Sequence, residues 1–132
     1  MSRGFTLLEL LAVAAITAIL LAIAVPSYQR YAQRTHRADA IRSILSIAAC
    51  LERSRTGTGY YNTLACSDAA SSDYYLLRIA PADQTSALSF RISAEPRTDS
   101  SGDLCGSLSM DQAGSRGISG PEDRLAACWG GR

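Results

Sequence analysis

The chain opens Met1-Ser2-Arg3-Gly4-Phe5-Thr6-Leu7-Leu8-Glu9-Leu10 and runs on, almost wholly apolar, to Val25-Pro26-Ser27-Tyr28. Phe5 to Val25 is 21 residues interrupted only by Thr6, Glu9 and Thr17. As a helix this stretch would measure about 31 Å, the thickness of a bilayer's hydrocarbon core. Leu, Ile and Ala favour the helix, and lipid offers the backbone no other way to satisfy its hydrogen bonds. A cleaved secretory signal has an apolar region of only about 7–15 residues, followed by a small-residue cleavage site. Here the run is longer and closes on Val25-Pro26-Ser27-Tyr28, so it reads as a retained anchor. Glu9 is the exception within it. An ionisable side chain at membrane depth costs roughly 2.5–3.5 kcal/mol on insertion scales, which makes it a functional candidate unless it lies near enough to the interface to stay wet.

Beyond Pro26 the sequence has the character of a soluble domain. A length of 132 residues fits one domain, and a net charge of +1 excludes a nucleic-acid binder held on by bulk charge. The helical period continues from Ser27 to about Arg55, with Tyr28, Tyr31, Ala38, Ile41, Leu45 and Ala48 on one stripe and Ile44 and Leu51 beside it. Such a stripe predicts a helix packed on a sheet. Arg30, Arg34 and Arg37 share a second face. Residues 26–56 carry six arginines against Asp39 and Glu52, while residues 57–132 carry six arginines against nine acids. A basic stalk and an acidic head follow. The arginine face reads first as a solvated or subunit-pairing surface, with lipid headgroups and DNA as lesser alternatives. Gly57 and Gly59 end the helix, and residues 57–73 read as a loop. Strands are expected over Tyr74 to Ala80, Leu88 to Ala94 and Leu104 to Met110, with turns at Pro81, Pro96 and Gly114. The tail from Ser115 reads as irregular. The expected fold is α+β: a long N-terminal helix, its apolar half membrane-spanning, packed on a small antiparallel sheet with a disulfide-bonded C-terminal region.

Gly4-Phe5-Thr6-Leu7-Leu8-Glu9-Leu10 resembles the processing motif of type IV pilins, in which a dedicated peptidase cuts after Gly and N-methylates the new first residue. The resemblance implies a leader of residues 1–4, cleavage after Gly4 and N-methylation at Phe5. It makes residues 5–26 the transmembrane and filament-core helix and residues 27–132 the pilin head: helix 27–56, loop 57–73, sheet 74–112 and C-terminal region 113–132. Pro26 is similar to the family's kink-forming proline, while the position of its usual second proline is Ser46 here. The stretch Asp103-Leu104-Cys105-Gly106-Ser107-Leu108-Ser109-Met110-Asp111-Gln112-Ala113-Gly114, with Cys128-Trp129, resembles PilE-like minor pilins. Implied partners are other pilin subunits, the prepilin peptidase and an inner-membrane assembly machinery. In the family's scheme Glu9 pairs with the new amine of a neighbouring subunit. Physically, each charge is costly alone in a low-dielectric core and far cheaper when paired. The implied location is the inner membrane with a periplasmic head, then a surface pilus. Arg30, Arg34 and Arg37 on the head side run against the positive-inside rule for that orientation.

Cys50, Cys66, Cys105 and Cys128 allow three pairings, and an even number in an exported head argues for two disulfides. The expected pairs are Cys50–Cys66, tying the helix end to the loop, and Cys105–Cys128, tying the third strand to the tail. With no C-x-x-C and His36 as the single histidine, neither a metal site nor a cofactor is expected. No Ser/His/Asp set or phosphate loop suggests an enzyme. The leading function is therefore structural, and the resemblance implies a subunit of a type IV pilus, minor in preference to major, with roles in pilus biogenesis, twitching motility and adhesion. Two alternatives stand beside it. A competence pilin that binds DNA would need clustered arginines such as Arg78 and Arg91 near Tyr60, Tyr61, Tyr74, Tyr75 or Trp129; the other is a type II secretion pseudopilin.

Overall fold

The computed structural model describes residues 6–81, 87–97 and 103–131. The elements, in order, are α1 (Leu7–Thr58), β1 (Tyr75–Ala80), β2 (Arg91–Pro96), β3 (Leu108–Asp111), β4 (Arg116–Ile118), a 3-10 turn (Glu122–Arg124) and α2 (Leu125–Cys128). The chain divides into two compact units, one ending at Arg34 and the other beginning at Thr35.

In the first unit every side chain from Thr6 to Tyr31 is exposed. Thr6 caps the helix, its hydroxyl accepting the Glu9 amide at 3.3 Å. Thr17, the other polar break in the run, donates its hydroxyl to the Val13 carbonyl at 2.8 Å, so it adds no unmet group to the apolar surface. Pro26 lies inside α1. With no amide to donate, it deprives the Ala22 carbonyl of its usual helical donor.

In the second unit the remainder of α1 lies across the sheet and shares one core with it. The strands run β1-β2-β3-β4 in space, all antiparallel, with Ile79 opposite Ile92 and Ile92 opposite Met110. The core joins Ala40, Ile44, Ile47 and Leu51 of α1 to Tyr75, Phe90, Ile92, Ala94, Leu108 and Met110, with Tyr61 and Trp129 completing it. Each fully buried Ile, Leu or Phe contributes about 1.5–3 kcal/mol of transfer free energy. The buried helical stripe differs from the expected one. Tyr28, Tyr31 and Leu45 are 72%, 69% and 47% exposed, and Ala38 is exposed too. The true stripe, Ala40, Ile44, Ile47 and Leu51, is flanked by buried Ser43, whose hydroxyl is satisfied by the Ser71 carbonyl. A polar residue inside the stripe hid its phase from a hydrophobic count.

The helix runs to Thr58, where Gly59 (φ 83°) donates its amide to the Arg55 carbonyl at 2.8 Å. Strand boundaries move for local reasons. Phe90 gives its amide to the Gln112 side chain, so the β2 ladder starts at Arg91 rather than Leu88. Gly106 (φ 61°) breaks extension beside Cys105, so β3 starts at Leu108 rather than Leu104. The sheet continues past residue 112. Asp111 accepts the amides of Ala113 and Ser115, folding a turn that brings Arg116-Gly117-Ile118 back as β4. That strand, the 3-10 turn and α2 all lie in the tail expected to be irregular. Trp129 at the end of α2 donates its indole N–H to the Gly117 carbonyl at 3.2 Å, covering the edge of the sheet.

Candidate functional site

In the first unit, among the described residues, α1 is exposed on every side. Leu7, Leu10, Ile16, Leu20 and Ile23 are 59–78% exposed, and among the described residues this is the one helix long and apolar enough to cross a membrane. Large contiguous apolar exposure of this kind marks a surface meant for lipid or for other protein. Glu9 lies exposed in its first turn. Gly4 and Phe5, the expected cleavage and methylation positions, lie outside the described residues.

In the second unit the most densely bonded polar group is Asp103, whose side chain is 3% exposed. Arg37 grips it from α1 with Nη2 at 2.8 Å and Nε at 3.2 Å. The Tyr75 hydroxyl donates to it at 3.1 Å from β1, and the Cys105 amide does so at 3.1 Å. One carboxylate therefore joins the helix, the sheet and the segment carrying the second disulfide. Arg37 is thereby withdrawn from the arginine face read from the sequence. Burial, reinforced by the Asp103 charge, pushes the Tyr75 hydroxyl up to about 12, from an ordinary value of 10.0. The folded state thus holds this proton more tightly than the unfolded chain. Its contribution is complete below about pH 10 and is lost as the pH climbs towards about 12. Unfolding measured from about pH 9 to 12.5 is expected to show an alkaline fall in wild-type stability that is reduced in Tyr75→Phe.

Cys50 is bonded to Cys66 and Cys105 to Cys128, leaving none of the four free. The first bond ties the last turns of α1 to the loop that runs back along it. There Ser46 and Ser43 donate to the Ala69 and Ser71 carbonyls, and Asp39 accepts from Ser72. Among the described residues no group of His, Cys, Asp and Glu is arranged to hold a metal.

The aromatic candidates separate sharply. Tyr61, Tyr75 and Trp129 are buried in the core, while Tyr60 and Tyr74 are 46% and 45% exposed. Tyr74 is stacked on His36 of α1 with ring centroids 3.4 Å apart. The register places Arg97 across from Tyr74, its amide bonded to the Tyr74 carbonyl at 2.9 Å. The strand pleat then carries Leu76 and Arg78 on the outer side of β1, and Glu95, Ser93 and Arg91 on that of β2. Arg78 and Arg91 therefore share a face, as a clustered basic surface requires. Glu95, 3.6 Å from Arg78, and Asp111, opposite Arg91, offset much of their charge.

The family profile described as "Type IV minor pilin ComP, DNA uptake sequence receptor" matches residues 26–109, and that of the prokaryotic N-terminal methylation motif matches residues 1–25. Two fimbrial proteins of Pseudomonas aeruginosa are 44% identical over 50 residues, 38% of this chain and 32% of theirs. The match thus spans about a third of the length of those relatives. A type IV pilin from Shewanella oneidensis aligns with a TM-score of 0.52 and 30% identity over 64% of this chain and 89% of its own. The Neisseria meningitidis non-core minor pilin PilV aligns with a TM-score of 0.54 over 70% of this chain and 91% of its own; at 19% identity it speaks for the fold alone. Helix, four-stranded antiparallel sheet and two disulfides make the type IV pilin fold, a structural rather than enzymatic class, and this chain belongs to the type IV minor pilin family.

Proposed function

We propose that the protein is a subunit of a type IV pilus, anchored by α1 in the inner membrane with its head in the periplasm, then moved into a surface filament that serves pilus biogenesis, twitching motility and adhesion. The observation that carries this reading is the apolar surface of α1 before Pro26, exposed on every side. Lipid covers such a surface before assembly, and the helices of neighbouring subunits cover it afterwards. Processing is the step between: the prepilin peptidase cuts after Gly4 and methylates Phe5, and the assembly machinery then lifts the subunit out. The methylation-motif match over residues 1–25 supports it. Mass spectrometry of the N-terminal peptide in sheared filaments tests it. Methylated Phe5 at low abundance beside another pilin is the expected result. Processed protein that stays in the membrane and never reaches filaments would overturn it in favour of a pseudopilin.

The match to a family described as a DNA uptake sequence receptor favours a second reading, in which the head also captures DNA. The surface that suits it is the end of the head where Tyr74, 45% exposed, stacks on His36 and takes the Arg97 amide on its carbonyl. In a salt-dependent gel shift with the full chain in detergent micelles, Tyr74→Ala is expected to weaken binding by about 5- to 150-fold, the worth of one base-stacking contact. Arg97→Ala is expected to lower the salt slope by about one. Binding unchanged in both variants would remove this surface from consideration.

A further inference from the structure

We propose that Asp103, held by Arg37, selects the partner of Cys105 during oxidative folding, so that this buried ion pair acts as a positioning device for the second disulfide. Chain connectivity selects weakly. Cys105 lies 23 residues from Cys128 and about 39 and 55 from its other candidates, Cys66 and Cys50. Loop-closure entropy, scaling as the three-halves power of length, therefore favours Cys128 over Cys66 by only about twofold and over Cys50 by about fourfold. A statistical coil would leave roughly four in ten Cys105 thiols mispaired on this scaling.

The structure supplies a stronger bias. Asp103 accepts the Cys105 amide at 3.1 Å, two residues before the thiol, and is itself fixed by two bonds from Arg37 and one from Tyr75. The Cys105 carbonyl in turn accepts the Gly120 amide at 3.2 Å, and Ser107 and Ser119 exchange bonds one step further on. The Gly120 and Ser119 bonds draw the Cys105 segment onto the strand that leads to Cys128, while the Asp103 bonds fix it beside Arg37 and Tyr75, thirteen residues along α1 from Cys50. Each is a hydrogen bond or ion pair that does not pass through sulfur, and the proposal requires them to form before the thiols are oxidised. Glutathione disulfide suffices as oxidant. One protein thiolate attacks it, giving a mixed disulfide and one glutathione thiolate; the second attacks the protein sulfur of that mixed disulfide and releases the other. Two cysteine protons are lost, and the two electrons reside on two reduced glutathiones.

The test uses the full chain in detergent micelles, reduced and denatured, then refolded in a glutathione buffer, quenched with an alkylating agent and mapped by mass spectrometry. Wild-type protein is expected to give Cys105 linked almost wholly to Cys128. Asp103→Ala is expected to give a several-fold rise in Cys105–Cys66 and Cys105–Cys50 species among early intermediates, a readout that does not require the variant to reach a native state. Asp103→Glu, which restores the carboxylate, is expected to reduce mispairing. Leu108→Ala, which weakens the core without touching the pair, should leave Cys105 correctly matched. Correct pairing in Asp103→Ala, or equal mispairing in Leu108→Ala, would overturn the proposal.

Discussion

Asp103→Ala is expected to lower the unfolding free energy of the head by about 3–5 kcal/mol, the usual result of removing one partner from a buried ion pair. Three losses coincide at this position. The Arg37 side chain, 15% exposed, is left without its counter-charge. The Tyr75 hydroxyl and the Cys105 amide lose their acceptor, and each unsatisfied buried donor costs about 1–3 kcal/mol on its own. For a head of this size each kcal/mol corresponds to about 4–8 °C in melting temperature. Thermal or denaturant unfolding of the full chain in micelles reads the effect directly. Asp103→Asn, which keeps the shape but not the charge, should fall between. Replacing both partners together, as in Arg37→Met with Asp103→Leu, should recover much of the loss, because the desolvation of both charges disappears with them. A loss below about 1 kcal/mol for Asp103→Ala would mean that the pair is worth no more than a surface salt bridge.

Glu9→Ala is expected to leave anchoring intact and to reduce recovery of the subunit in sheared filaments by about tenfold or more, the effect of leaving a charge unpaired at low dielectric. In the proposed pathway, cleavage creates an amine at Phe5 that enters a dry filament core. Glu9 is the first acidic residue after it and occupies the first turn of α1. Removing the carboxylate relieves one desolvation cost in the membrane but strands the amine in the assembled state. The variant should therefore accumulate as processed, membrane-bound protein. Immunoblots of sheared and membrane fractions, with mass spectrometry of the N-terminal peptide, separate a failure of assembly from a failure of cleavage. Full incorporation of Glu9→Ala would show that the amine does not need the Glu9 carboxylate in the filament core.

The two halves of the chain differ in how much of their structure could be read from residues alone. For the first, composition sufficed: 21 residues with three polar interruptions can form only a helix in lipid, and the surface stays apolar whatever the head does. Thr6, which the structure shows capping the helix through the Glu9 amide, is an equally local contact. The α+β class was legible too, because helical periodicity gives way to alternating strands at two glycines. Phase and boundaries were not. Which side of α1 is buried depended on a sheet that begins only at Tyr75 and on a serine satisfied by a distant carbonyl. Arg116-Gly117-Ile118 has no strand signal of its own and becomes a strand because Asp111 folds the turn before it.

The candidate site shows the same division. Tyr61, Tyr74, Tyr75 and Trp129 are chemically equivalent choices in a sequence, and only packing left Tyr74 at the surface and drew the others into the core. Arg37 stood in an arginine stripe indistinguishable from its neighbours until Asp103, 66 residues away, was brought beside it. The apolar helix and the succession of helix and first three strands could be read from residues alone, because each rests on interactions between near neighbours. The pairing of charges, the exposure of each aromatic ring and the face of α1 that meets the sheet could not. They depend on contacts between residues far apart in the chain, whose energies exist only once the backbone has folded.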